Sequence, residues 1–451
     1  MYLFLLVAVF LINSTSTFAQ DTLQRADSTV IVDIHIYGNK VTKENIIRMY
    51  LRIQNGDTLD SLNFATAKKR LLRSKLFSKV NLFTMKKKDG VHLYVVVTEH
   101  FYIIPDAGGS YYTRKYNNQQ LWFRVSASLA HRNLGGRGEE AKIAVAFWDS
   151  RGLSLSWTKP LLPSDFYLSS SLAMDFTPDQ VKKYNTIQAS GKLVIGKDLF
   201  DNSRIAFGLF PYWNKQQWID STFYIKTLEL YTAIGWVTDR RNHLFNPSKG
   251  SYFYTDIRFN HLYHKGTTRP YFQTISELRL FHPGFFKEDV FATRLGMTLR
   301  DNDAGPIHYL GLGGTKTIRG YANQIVGASL KGNNTLNISC EYRFPLFRLP
   351  LLTIPILSSY DNRFESLDIR VHGALIADFG RIGNTTFDLF NPKAQNAQSG
   401  SGLGGGIRVL APDLETNGCI DVVFPQLYWL PRGTLRYWPR PEMHLYLNFP
   451  Y

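Results

Sequence analysis

The spacing of apolar residues changes character near residue 100. Between Val30 and His100 it switches several times within the length of one small domain. Val30, Val32, Ile34 and Ile36 occupy every second position, as in a half-buried strand, and Gly38-Asn39 follows as a turn. Ile46, Met49, Tyr50 and Ile53 then recur with helical spacing, which predicts an amphipathic helix closed by Gly56-Asp57. Ser61 to Ser74, rich in Ala, Leu, Lys and Arg, predicts a second helix. Val80, Leu82 and Thr84 mark a strand, Lys88-Asp89-Gly90 a hairpin turn, and Val91, Leu93, Val95 and Val97 a last strand. The order is strand, helix, helix, strand, strand: a small α/β domain over residues 29–100.

After Tyr102 no segment carries a helical period, and alternating stretches continue to the C-terminus. Phe123, Val125, Ala127 and Leu129 are separated by Arg124, Ser126 and Ser128; Leu153, Leu155 and Trp157 by Ser154 and Ser156. Such segments recur over roughly 350 residues, about enough for 16 tilted strands with their turns. Alternation alone leaves a soluble sandwich open, because a second sheet can also hide an apolar face. The last residues favour a barrel. Leu445, Leu447, Phe449 and Tyr451 fill every second position, and a sheet in lipid must close on a last strand because it cannot leave an edge. Pro450 suits only a strand end. The expected fold is mainly β, a 16-stranded antiparallel transmembrane barrel over 101–451 behind the α/β domain.

Composition sharpens this picture. Aromatic residues make up 14% of the 451 positions, yet the mean hydropathy of -0.18 is too polar for a bundle of spanning helices. A barrel wall with one oily and one wet face gives both properties. Residues 1–19 read as a cleaved signal peptide, with an apolar run from Tyr2 to Ile12 and small residues around Ala19. That run is shorter than the roughly 20 residues a spanning helix needs. A net charge of +16 would suggest nucleic acid in a cytosolic protein. Export excludes nucleic acid and leaves anionic lipid headgroups, lipopolysaccharide and acidic groups of the chain itself. Cys340 and Cys419 fall in separate predicted strands and are expected as unpaired thiols. No serine sits in a nucleophile elbow, and no His/Glu or Cys/His grouping has metal-ligand spacing. No catalytic residue, cofactor or metal is therefore expected. Gly402, Gly404, Gly405 and Gly406 lie in a strand pattern with no helix after them, which points to a bend or thin wall rather than a phosphate loop.

Alternation also assigns faces. Asp368, Arg370, His372, Ala374, Ile376 and Asp378 share one face of a strand whose other face carries Ile369, Val371 and Leu375. Asn337, Ser339, Glu341 and Arg343 likewise oppose Leu336, Ile338, Cys340 and Tyr342. Acids and bases are expected to gather inside the barrel. Two stretches stand apart: Leu346 to Leu357 as an apolar periplasmic connection, and Phe424 to Trp438 as a Trp/Pro-rich external loop, both expected to pack at the interface.

Several motifs, in order, carry a family resemblance. Ile36-Tyr37-Gly38-Asn39, Leu76-Phe77-Ser78-Lys79-Val80 and Val95-Val96-Val97-Thr98-Glu99 look like a POTRA domain. Asn133-Leu134-Gly135-Gly136-Arg137-Gly138, and Asp239-Arg240-Arg241 through Pro247-Ser248-Lys249-Gly250, look like strand-turn signatures of the same family. Gly313-Gly314-Thr315-Lys316-Thr317-Ile318-Arg319-Gly320-Tyr321 is the most specific, followed by Glu341-Tyr342-Arg343-Phe344-Pro345 and Ala377-Asp378-Phe379-Gly380. On these residues the chain resembles the BamA/TamA family of outer-membrane assembly and translocation proteins, with a surface-antigen-type barrel and a single POTRA domain in the periplasm.

The resemblance implies that the loop bearing Ile318, Arg319, Gly320 and Tyr321 folds back into the lumen. It pairs Arg319 with Asp378, with Glu341 as a second acid. It also implies a weak seam between a first strand near Gly108 and Gly109 and a last strand carrying Leu447, Phe449 and Tyr451. The implied function is assembly, by insertion or translocation, of unfolded outer-membrane or secreted client polypeptides through a laterally opening barrel, by a specialised member of the family. Outer-membrane lipid or lipopolysaccharide and accessory lipoproteins are the further partners. A secretion pore resembling two-partner transporters, and a passive pore or surface antigen, are the alternatives.

Overall fold

The computed structural model describes residues 29–59, 61–100, 102–116, 118–148, 150–161, 165–179, 184–200, 202–218, 222–243, 246–264, 266–301, 310–314, 317–320, 330–349, 368–411, 416–429, 435–436 and 442–447. The signal-peptide expectation for residues 1–19, and the positions Tyr321, Phe449 and Tyr451, lie outside these. The chain divides into two units, Met1–His100 and Phe101–Tyr451.

The first unit contains β1 (Thr29–Tyr37), α1 (Glu44–Leu51), β2 (Thr58–Leu59), α2 (Ser61–Arg73), β3 (Phe77–Lys87) and β4 (Gly90–Glu99). Its sheet order is β2-β1-β4-β3, with β1 parallel to β4 and the other pairs antiparallel. A core of Ile34, Ile47, Leu51, Leu71, Leu76, Phe77, Leu93 and Val95 is almost wholly removed from solvent. Two local expectations are corrected. The alternation through Val30 and Val32 breaks at an irregularity between Ile31 and Asp33, so Ile31 is buried while Val30 and Val32 are exposed. An extra residue in one strand reverses side-chain parity beyond it. The first helix ends at Leu51, ahead of Gly56, because Arg52 turns left-handed (φ 52°) and its N–H bonds back to the Arg48 carbonyl.

The second unit is a closed barrel. Its strands are β5 (Ile103–Tyr116), β6 (Asn118–Leu134), β7 (Glu139–Trp148), β8 (Arg151–Leu161), β9 (Phe166–Asp179), β10 (Tyr184–Phe200), β11 (Ser203–Trp218), β12 (Tyr224–Asp239), β13 (Gly250–His264), β14 (Thr267–Pro283) and β15 (Val290–Arg300). A small two-stranded sheet, β16 (Leu310–Leu312) with β17 (Leu330–Gly332), interrupts this series. The wall resumes with β18 (Asn334–Arg348), β19 (Arg370–Gly383), β20 (Gln398–Ala411) and β21 (Thr416–Trp429). It closes through a last position present in two pieces, β22 (Leu435–Arg436) and β23 (Glu442–Leu447), next to β5. Among the described residues the wall thus has sixteen strand positions, and every pairing whose register is resolved is antiparallel.

The wall turns its oil outward. Leu172 (68% exposed), Leu375 (58%) and Ile257 (53%) alternate with inward residues, of which Asp256 and Asp378 are buried. Cys340 and Cys419 are both free thiols. Two further expectations are corrected. A one-turn helix, α3 (Thr386–Phe390), follows β19, held by a reciprocal capping box of Thr385 and Asp388; a single turn is too short to show as a hydrophobic period. Phe424 to Trp429 belongs to β21 and not to an external loop, since Pro425 falls where the β20–β21 register shifts and a missing N–H is tolerated.

Candidate functional site in the barrel lumen

The site is built from one loop arginine and the inner faces of β18 to β21. The loop reaches the wall through Ile318, which is fully buried with Leu312, Leu330 and Ile382. Thr317 tightens the turn before it: its hydroxyl accepts from Gly313 N–H at 2.8 Å and donates to the Gly313 carbonyl at 2.9 Å. Gly320, directly after the arginine, has φ +89°, a conformation that L side chains adopt only with strain.

Arg319 is 1% exposed. Its Nε and backbone N–H both donate to Asp378 Oδ2, at 2.7 and 2.9 Å, while Nη2 donates to Asp378 Oδ1 at 2.8 Å. This is a bidentate guanidinium–carboxylate pair reinforced by main chain. Nη2 also donates to Ser339 Oγ at 2.7 Å, and that hydroxyl donates to Asp378 Oδ1 at 2.6 Å. Nη1 reaches Glu341 Oε1 at 2.5 Å and Asp421 Oδ2 at 3.1 Å. Behind these acids stand two more bases. Arg408 donates to Glu341 Oε1 at 2.9 Å and to both oxygens of Asp421, and Arg343 Nε donates to Glu341 Oε2 at 2.9 Å.

The cluster therefore balances Arg319, Arg343 and Arg408 against Glu341, Asp378 and Asp421, all six buried. Charges this far from water persist only when paired and hydrogen-bonded, and removal of one partner leaves the others uncompensated. The loop can come so close because the wall is thin at one point. A Cβ on Gly402 would stand 2.4 Å from the Arg319 carbonyl oxygen, and one on Gly380 would stand 2.3 Å from Ile318 Cδ1. Gly402 on β20 and Gly380 on β19 thus make room for the loop, while Gly404 and Gly406 make room for the neighbouring strand β21.

The structure thus brings together Ile318, Arg319, Asp378 and Glu341. Sequence reasoning missed Asp421 and Arg408, although the same parity rule finds them: Ile407, Val409, Ile420 and Val422 face out, so Arg408 and Asp421 face in. Gly108 and Gly109 lie in β5, opposite Ser126 and Val125, and Leu447 lies in β23 opposite Gly418. The two strand-turn motifs join neighbouring strands, β6 to β7 and β12 to β13. Asn133 Oδ1 accepts from Gly138 N–H at 2.7 Å, and the Arg241 guanidinium pairs with Asp239 at 2.6 Å beside Gly250 (φ +111°).

Residues 133–414 match the family described as the Omp85 superfamily domain. The chain belongs to the Omp85 superfamily. Residues 29–100 match the POTRA family, described as a surface antigen variable number repeat. This Omp85 protein is an outer-membrane barrel with a periplasmic POTRA domain, and the family is one of non-enzymatic assembly and transport proteins. It is 27% identical over 169 residues to the outer membrane protein assembly factor BamA of Nitratidesulfovibrio vulgaris, a match covering 35% of this chain and 21% of that protein. The match thus spans about a fifth of that relative's length. In fold it is similar to BamA from Haemophilus ducreyi lacking POTRA domains 1–3, with a TM-score of 0.62, 17% identity, and 95% and 85% of the two chains covered. It is also similar to CdiB from Acinetobacter baumannii, with a TM-score of 0.62, 10% identity, and coverage of 94% and 74%.

Proposed function

We propose that this Omp85 protein inserts or translocates other polypeptides at the outer membrane through a barrel that opens sideways at its seam. The observation that carries this reading is the buried charge cluster that latches the Arg319 loop to β18, β19 and β21. A passive pore gains little from tying an inward loop to three strands by six balanced charges. A machine that must hold one arc of its wall rigid while another arc opens gains a great deal.

Two features of the strands support the reading. β23 is the neighbour of β5, and it is at this junction that the wall closes on itself. Parting the β23–β5 junction breaks a single ladder of the closed wall, and a client strand can pair there as it enters lipid. In the POTRA sheet β3 is an edge strand, so an extended client can add beside it through main-chain hydrogen bonds that demand no one sequence. The domain assignment that goes with this is signal peptide at 1–19, POTRA at 29–100 and barrel at 101–451.

Disulfide locking tests the gate. Cysteines placed in 107–111 and in 442–447, in a Cys340→Ser/Cys419→Ser background, are oxidised in pairs, and the assembly of newly made outer-membrane proteins is followed before and after reduction. Loss of assembly in the locked barrel and recovery on reduction is the expected result. Equal assembly in locked and reduced barrels would sink lateral opening. Secretion is the second reading, resting on the fold it shares with CdiB. It predicts that conductance rises when Arg319→Ala frees the loop, whereas a passive pore conducts strongly in the native protein.

A further inference from the structure

The open face of the POTRA sheet carries a group of side chains that neither the barrel nor client pairing uses. Asp33 and His35 lie two residues apart on β1 and so on one face, and Asp33 is the register partner of His92 on β4. The nitrogens His35 Nε2 and His92 Nδ1 are 2.9 Å apart, and Asp33 Oδ2 is 3.6 Å from His35 Nε2. One ligand atom from each of the three residues lies within 4.8 Å of the other two. The geometry points to a divalent transition-metal site, of the zinc class, formed by Asp33 Oδ2, His35 Nε2 and His92 Nδ1.

Three details favour metal ligation over a mere hydrogen-bonded pair. The other ring nitrogen of His92, Nε2, lies 3.0 Å from Asp89 Oδ2. An ionised carboxylate only accepts, so His92 carries its proton on Nε2 and presents the Nδ1 lone pair. That arrangement, a carboxylate behind a histidine, is the one that orients metal-ligating imidazoles. Asp33 is divided in the same way: Oδ1 accepts the Ile34 N–H at 2.8 Å and Oδ2 stays available. Zinc–nitrogen bonds of about 2.0–2.1 Å in a tetrahedron set neighbouring ligands about 3.3 Å apart. The observed 2.9 and 3.6 Å bracket that spacing.

Binding replaces the hydrogen between the two rings. His35 shifts its proton from Nε2 to Nδ1, both rings remain neutral, and no proton leaves the pair. The side chains of His92, His35 and Asp33 are 7%, 29% and 45% exposed, so the fourth position of the ion faces water. The ion ties β1 to β4, the one parallel pairing of the POTRA sheet, beside the exposed rings of Tyr37 and Phe83.

The test uses the full chain without a polyhistidine tag, purified in detergent, stripped with chelator and titrated with zinc chloride in a calorimeter. Cobalt(II) absorption reports the geometry. One saturable equivalent with a tetrahedral cobalt spectrum is expected. Asp89→Asn should weaken binding about 10–100-fold, and His35→Gln, at a partly exposed position, should abolish it. His264→Gln, in the barrel, should leave it unchanged. A wild-type protein with no saturable binding, or with the same affinity as His35→Gln, overturns the proposal.

Discussion

The POTRA domain and the barrel use the same alternation of apolar and polar residues to opposite ends. In the POTRA domain the apolar positions of the strands, Ile34, Leu93 and Val95, are almost completely buried and the charged ones look outward. In the barrel Leu172, Leu375 and Ile257 are more than half exposed, while Arg319, Glu341, Asp378 and Asp421 are hidden. Solvent accounts for the inversion. Water drives apolar groups of the small domain together, whereas lipid offers them no reason to leave the surface and leaves the polar groups to satisfy one another inside. A buried leucine is therefore the main structural element of one region, and a buried arginine that of the other.

Substitutions that respect or violate this inversion can break or sharpen it. Arg319→Ala takes the guanidinium from Asp378 and leaves three acids to two bases, and it should cost about 3–5 kcal/mol in the cooperative unfolding of the micelle-bound barrel, with the loop becoming a protease target. A barrel as stable as wild type would mean that the cluster is not a latch. Leu93→Ala opens a cavity in the POTRA core and should cost that domain about 2–5 kcal/mol, read from urea unfolding by tryptophan-independent circular dichroism. Gly402→Ala pushes a methyl group into the Arg319 carbonyl and should cost about 1–3 kcal/mol while leaving the charges intact, which separates loop distance from loop charge. Leu172→Ala, facing lipid, should change barrel stability by less than about 1 kcal/mol. A loss there as large as that of Leu93→Ala would end the contrast between the two regions.

Much of this was readable along the chain. Period-two alternation predicted a chain of strands, because a barrel strand repeats one rule many times and errors at single residues average out; the length of the alternating region suggested about sixteen of them, and the apolar last residues suggested closure. It predicted less well where a local irregularity resets the count. The break between Ile31 and Asp33 exposes Val30 and Val32, and the register shift at Pro425 keeps Phe424 to Trp429 in the wall. Neither is visible in hydrophobicity, since each depends on how one strand meets its neighbour. The Arg319–Asp378 pairing came from resemblance and not from spacing, 59 residues of chain separating the two.

By itself the sequence determined which residues turn toward oil and which toward water, since that choice is local and repeats with the pitch of a strand. Only the tertiary structure decided which inward charges meet. Asp421 and Arg408 join Arg319 because barrel closure sets β18 to β21 side by side, and His35 finds His92 because a parallel crossover places β1 against β4. Pairing between residues far apart in the chain is a property of strand order and register, and no window of sequence contains it.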